Sequence, residues 1–110
     1  MIIDEIVVEY LSKILDEPVY KEKPKNVKRY VLVQRSGRNE KDRLYNARLI
    51  FQSYAESLFE AASLNEKVIK AMENMVTLSI VSASKHIDDY EYTNIQTKEY
   101  RYQAIFDVYY

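Results

Sequence analysis

Ser53-Tyr-Ala-Glu-Ser-Leu-Phe-Glu-Ala-Ala-Ser-Leu-Asn-Glu-Lys-Val-Ile-Lys-Ala-Met-Glu-Asn-Met75 is the longest helical signal in the chain, and the other elements are placed by reading outward from it. Ser53 followed three residues later by Glu56 reads as a capping box, in which hydroxyl and carboxylate each satisfy a backbone N–H left over at a helix start. Apolar residues then recur at spacings of four and three, at Tyr54, Leu58, Ala61, Val68, Met72 and Met75. Ala55, Ala62 and Ile69 widen the stripe and Asn65 interrupts it. This is one face of an amphipathic helix. At a rise of about 1.5 Å per residue it would run roughly 33 Å, enough to cross a small domain. Phe59 lies off the stripe and is expected to pack against another helix.

Immediately before this helix, Leu44 to Gln52 alternates, with Tyr45, Ala47, Leu49 and Phe51 on one side. A strand therefore runs into the Ser53 cap. Tyr30 to Arg35 has strong strand propensity, and Ser36 to Lys41 around the lone Gly37 reads as a turn or longer loop, so the two strands form a hairpin. Further upstream, apolar residues at 2, 3, 6, 7, 10, 11, 14 and 15 mark a first helix that Pro18 ends. Val19 and Tyr20 suit a short strand, and Lys21 to Arg29 an exposed, charged connection.

Downstream of Met75, Val76 to Lys85 reads as a strand. His86 to Gln96 is acidic and aromatic with no clear period, and reads as a long loop. From Glu99 alternation is nearly strict, with Tyr100, Tyr102, Ala104, Phe106, Val108 and Tyr110 on one side. The order is α-β-β-α-β-β. It fits a single domain, residues 1–110, of the α+β class: one antiparallel sheet of about four strands with both helices on one face.

At 110 residues the chain can bury a core without staples, and the absence of cysteine excludes disulfides, thiol catalysis and Cys-ligated metal and suits a reducing compartment. No apolar run approaches the ~18 residues of a membrane span, and acids stand near the start where a secretory signal has bases, so neither insertion nor export is expected. One glycine leaves no Gly-rich phosphate loop. His86, the single histidine, has Asp88 and Asp89 nearby, too few ligands for a metal site, and no nucleophile-elbow motif accompanies it. The sequence therefore predicts no catalytic, metal or cofactor residues, and a binding or assembly protein rather than an enzyme.

Net charge is −1, yet residues 21–48 hold ten bases against three acids, leaving the remainder at −8. Such a split suits a basic loop region on a solvated surface, a nucleic-acid patch, or a basic surface that meets the acidic surface of a neighbouring copy. For the second, the candidate subunit-interface residues are Lys23, Lys25, Lys28, Arg29 and Arg38 against Asp88, Asp89 and Glu91, with Tyr90 and Tyr92 adding apolar contact. Eleven tyrosines favour protein contacts.

Three stretches, in order and spacing, resemble the tail-terminator (tail-completion, tail-to-head joining) proteins of long-tailed bacteriophages: Tyr30-Val-Leu-Val-Gln-Arg-Ser-Gly37, Leu49-Ile-Phe-Gln-Ser-Tyr-Ala-Glu-Ser-Leu-Phe-Glu-Ala-Ala62 and Tyr100-Arg-Tyr-Gln-Ala-Ile-Phe-Asp-Val108. The resemblance implies an α/β subunit that forms a homo-oligomeric ring, a hexamer, at the head-proximal end of the tail tube. Such a ring stops polymerisation of the major tail protein, joins the tail to the head connector or stopper, and lets DNA pass through its lumen. It implies residence in the virion after assembly in the host cytoplasm, with no enzymatic activity, cofactor or membrane. The alternatives are a head-completion or stopper protein of the neck and, from a different class, a small nucleic-acid-binding domain using residues 21–48. If Leu58 and Phe106 are both core, replacing either by Ala should cost ~2–5 kcal/mol in denaturant unfolding.

Overall fold

A computed structural model describes residues 2–41 and 44–110, with side chains for 2–36 and 46–110. Helix α1 (Ile3–Ile14) has no side-chain cap, but Asp4 and Glu5 in its first turn and Lys13 in its last oppose the helix dipole. It leads into a two-residue strand β1 (Val19–Tyr20), the long strands β2 (Tyr30–Lys41) and β3 (Leu44–Ala55), helix α2 (Leu58–Glu73), a 3₁₀ turn at Asn74–Thr77, and strands β4 (Ala83–Glu91) and β5 (Tyr100–Tyr109).

The five strands form one sheet in the order β1-β2-β3-β5-β4. The expected sheet had about four strands and was wholly antiparallel. The additional strand is β1, which pairs parallel to β2 through Val19–Val31 and Tyr20–Leu32; a nine-residue connection suffices as a crossover because the strand is so short. All other pairings are antiparallel.

Alternation along the central strands sends Val31 and Val33, then Leu49 and Phe51, then Ala104, Phe106 and Val108 to one face, where they meet Ile3, Val7 and Leu11 of α1 and Leu64, Val68 and Met72 of α2 in one buried cluster. Both helices therefore lie on the same face, as expected. Phe51 and Phe106 meet edge to face at its centre, 6.0 Å apart.

Several sequence expectations are corrected. The long helix starts at Leu58, not Ser53, because β3 continues to Ala55, whose partner on β5 is Tyr100. The cap is Ser57, whose Oγ accepts from the Glu60 N–H at 3.2 Å. Ser53 is a fully buried strand residue, and its hydroxyl has no hydrogen-bond partner among the described residues. Leu58 is 39% exposed and Phe59 76% exposed, so neither packs in the core nor against α1. Residues Ser36 to Lys41 are not a turn: their backbone continues β2 to Lys41, with a register shift between Arg35 and Gly37 that marks a bulge.

The strand expected at Val76–Lys85 lies later. Residues 74–77 form the 3₁₀ turn, and β4 takes in His86 to Glu91, half of the segment expected to be a loop. The true β4–β5 connection is 92–99, folded by Asn94, whose Oδ1 accepts from the Gln96 and Thr97 N–H groups.

These positions set up a discriminating series in equilibrium denaturation. Phe106→Ala should cost about 3–5 kcal/mol, because it empties the centre of the core. Ser57→Ala should lose about 0.5–2 kcal/mol of capping. Leu58→Ala should stay under about 1 kcal/mol, and Ser53→Ala should be neutral or stabilising, since it removes a buried hydroxyl without a partner. A Ser53→Ala loss equal to that of Ser57→Ala would overturn the assigned helix start.

Candidate functional site

The candidate site lies on the sheet face opposite the helices. Tyr30 and Tyr54, register partners on β2 and β3, stack at 4.5 Å with nearly parallel rings, and Tyr20 meets Tyr30 edge to face at 6.0 Å. With Leu32, Tyr30 and Tyr54 form a second buried cluster, against which Tyr20 and Val27 pack. The connection from Lys21 to Arg29 is therefore not simply an exposed strap; Val27 folds back over the sheet. Burial pushes the Tyr30 phenol up to about 12.

Beside the tyrosine stack runs a continuous line of side-chain hydrogen bonds. Arg101 Nη1 donates to the Tyr54 hydroxyl (2.9 Å), Tyr54 donates to Gln52 Oε1 (3.1 Å), Gln52 Nε2 donates to Gln103 Oε1 (2.9 Å), and Gln103 Nε2 donates to the Tyr90 hydroxyl (2.7 Å). Every bond points the same way, from β5 through β3 and back across β5 to β4. Each link polarises the next. At its end the Tyr90 oxygen is an acceptor, so its own proton is available to an outside group; Tyr90 is 39% exposed. Gln52 and Gln103 are both buried despite lying on a face without helices.

Arg101 is held on both sides: its guanidinium carbon lies 5.7 Å from the Tyr54 ring centre and 4.6 Å from that of Tyr92, and its Nε donates to the Tyr92 carbonyl. Farther along the same face Arg48 grips Asp107 through two parallel bonds, 2.8 and 3.0 Å. That pairing holds the Arg48 guanidinium above its ordinary range.

The candidate interface residues fall into three groups. Lys23 and Arg29 are engaged within the chain: Lys23 meets Glu99 at 2.8 Å, and Arg29 meets Glu56 at 2.7 Å and Glu60 at 3.1 Å. Their hydrogen bonds lower the Glu99 and Glu56 carboxyls below the ordinary range. Asp89 is likewise engaged, accepting from Asn65 Nδ2 at 3.1 Å and lying 2.9 Å from His86 Nε2. Exposed positions are Lys25, Lys28, Asp88, Tyr90, Glu91 and Tyr92. Arg38 pairs through its backbone with Ala47, and its side chain lies outside the described residues.

The structure brings Asp88 to Glu91 together on the outer edge strand β4. Lys23, by contrast, reaches the turn just before β5 and does not stand apart as a separate basic surface. Five of the ten bases of residues 21–48 are met by distant acids of the same chain: Lys21 by Asp4 and Glu5, Arg35 by Asp4, and Arg48 by Asp107, besides Lys23 and Arg29. Residues that the sequence reading passed over are Gln52, Gln103 and Arg101. Their signal was the polar member of each alternating pair in strands already identified. His86, expected on a loop, sits on β4 with its ring 5.1 Å from that of Phe106.

Among the described residues no three His, Cys, Asp or Glu side chains converge to hold a metal ion. Among the described residues no helix is long and apolar enough to cross a membrane. No family model matches the sequence, and no curated protein matches it.

Two titrations read this face. The unfolded chain ionises Tyr30 from about pH 10 and the folded chain only near 12, so folded-state stability should fall as pH rises through that window. Tyr30→Phe should reduce the fall. Glu99, lowered in the folded state from 4.5, contributes stability present above that value and lost as pH drops through the lowered one. Glu99→Gln should flatten that acid limb, measured by denaturant midpoints from pH 7 to 3; an unchanged limb would mean that the Lys23 contact contributes nothing in solution.

Proposed function

We propose that this chain is a structural subunit of a long-tailed phage virion: a tail-terminator protein that forms a ring, a hexamer, at the head-proximal end of the tail tube. There the ring stops polymerisation of the major tail protein and joins the tail to the head connector, with DNA passing through the lumen. The family assignment comes from the resemblance of the three stretches described above. In the fold these become the three adjacent strands β2, β3 and β5 with the start of α2. The pieces that carry the resemblance are thus one contiguous unit.

The observation that carries an assembly role is the open sheet face, which no helix covers and whose hydrogen-bond line ends in the exposed Tyr90 hydroxyl. The residues of this side that stay exposed, Arg48, Tyr90 and Tyr92, suit contact with protein, because they offer directed polar contact beside rigid apolar area. Asp88, Tyr90, Glu91 and Tyr92 on the β4 side, with Lys25 and Lys28, are the interface residues free to meet a neighbour. Lys23, Arg29 and Asp89 serve instead to hold the surface in shape. Exposed ion pairs are each worth only ~0–1 kcal/mol, so charge orients the copies and buried apolar area holds them.

A stopper protein of the neck occupies the adjoining ring and remains the neighbouring alternative within this class. The intrachain pairing of Lys21, Lys23, Arg29, Arg35 and Arg48 weighs against a nucleic-acid patch, which needs its cations free for phosphate.

Sedimentation or mass photometry over a range of protein and salt concentrations should show a closed ring that weakens, without vanishing, in high salt. Cryo-electron microscopy of purified tails should place it at the head-proximal end. Absence from tails and necks alike would end the virion reading.

A further inference from the structure

At the end of the sheet where β2 begins and β3 finishes, a cavity of about 300 Å³ opens beside the tyrosine stack. The connection before β2 supplies one wall with Val27 and Lys28, the turn before β5 supplies another with Lys98 and Tyr100, and Tyr30 and Tyr54 line the space as well. Because β3 stands between β2 and β5, the two loops flank its end. The volume is at the lower end of the ~300–1,000 Å³ usual for small-molecule sites.

The polar groups around this cavity are one-sided. Its acids are spent: Glu56 accepts from Arg29, and Glu99 accepts from Thr97 through one oxygen and meets Lys23 through the other. The Tyr54 hydroxyl is spent too, between Arg101 and Gln52. Three donors are not. Lys28 and Lys98 are exposed, and neither comes within ion-pair distance of an acid among the described residues. Tyr30 is only 3% exposed, yet its hydroxyl has no hydrogen-bond partner among the described residues. Unlike the Ser53 hydroxyl it is not sealed from solvent, so it opens on the cavity that Tyr30 lines. Burial keeps this phenol protonated through the neutral range, and therefore a donor. Lys98 also holds a left-handed backbone, φ 57°, which glycine would take more readily. Strain of this kind clusters at ligand clamps.

We propose that this cavity binds a small organic carboxylate, its anionic head between Lys28 and Lys98 within reach of the Tyr30 hydroxyl and its compact apolar body against Val27, Ala55 and Tyr100. Unspent donors without unspent acid oxygens select an anion, because a cation or a second donor would find no partner there. The surroundings also favour a single negative charge: Lys23, Lys28, Arg29, Lys98 and Arg101 stand against Glu56, Glu60, Glu91 and Glu99, which leaves one positive charge over. The site does not depend on the ring reading, with which it shares only Lys28.

Benzoate, a rigid apolar ring with one carboxylate, is the probe. Calorimetry and saturation-transfer NMR on the intact chain should show one saturable site per chain. Benzamide has the shape without the charge and inorganic phosphate the charge without the apolar body, and each should bind at least tenfold more weakly. Lys98→Gln should melt as wild type does, since the exposed side chain has no ion pair, yet weaken benzoate at least fivefold. Lys98→Gly should weaken it equally while melting no lower, because glycine relieves the backbone. Tyr30→Phe should also bind more weakly. Benzoate that fails to saturate, benzamide or phosphate binding as tightly as benzoate, or folded Lys98→Gln and Tyr30→Phe variants with wild-type affinity would each overturn the carboxylate site. None of these results bears on the ring, which Lys98→Gln should form in sedimentation as wild type does.

Discussion

Everything in this molecule hangs on β3 being paired along its length on both sides, with β2 from Tyr30–Tyr54 to the hairpin end and with β5 from Ala55–Tyr100 to Asn46–Tyr109. Because successive strand residues face opposite ways, that double pairing fixes both faces at once. On one side it sets Phe51 against Phe106 and so gives the two helices a floor to bury. On the other it sets Gln52 against Gln103 and Arg48 against Asp107. A slip of one residue would put glutamine under α2 and phenylalanine in water. The polar ladder and the aromatic core thus penalise the same error from opposite faces.

The same pairing explains where sequence reasoning missed the helix start. Ser53-x-x-Glu56 and Ser57-x-x-Glu60 are both capping boxes by pattern, four residues apart, and local chemistry gives no reason to prefer the second. What separates them is a tertiary gain: β3 acquires partners through Ala55 only because Tyr100 waits on a strand far away in sequence. Tyr54 and Ala55, read as helix, are buried strand residues for that reason. The Ser53 hydroxyl goes without a hydrogen bond in the exchange, and this shows which term wins. The central strands, the first helix and the shared helix face were legible because burial on one side imposes a period. β4 was not, because it is an outer strand with polar residues turned to water on most of its length. Its charged residues and the register shift between His86 and Asp88 are the features by which sheet edges avoid indiscriminate pairing, and they erase the alternation that would announce a strand.

The candidate site divides in the same way. Tyr90, Tyr92 and the neighbouring acids could be singled out from composition, since aromatic and acidic residues together on a polar stretch suggest contact. Which charges are already spent could not. Lys23 and Glu99, Arg29 and Glu56, and Arg35 and Asp4 are each separated by dozens of residues, and no pattern along the chain joins them. A local excess of seven positive charges therefore looks like a free basic surface in one dimension, whereas in three dimensions five of its ten bases are tied to acids of the same chain.

That redistribution changes what can hold copies together. With Lys21, Lys23, Arg29, Arg35 and Arg48 committed inside the chain, electrostatics between subunits rests on exposed residues whose pairwise worth in water is small. The cohesive part must come from apolar area, and exposed large side chains stand along the chain from Ile2 to Ile95. Leu58 and Phe59 stand together at the start of α2, and Tyr90 and Tyr92 meet edge to face at 6.2 Å at the end of β4. Keeping Phe59 in water gains nothing for the monomer, since α2 already has its cap in Ser57 and its buried face in Leu64, Val68 and Met72.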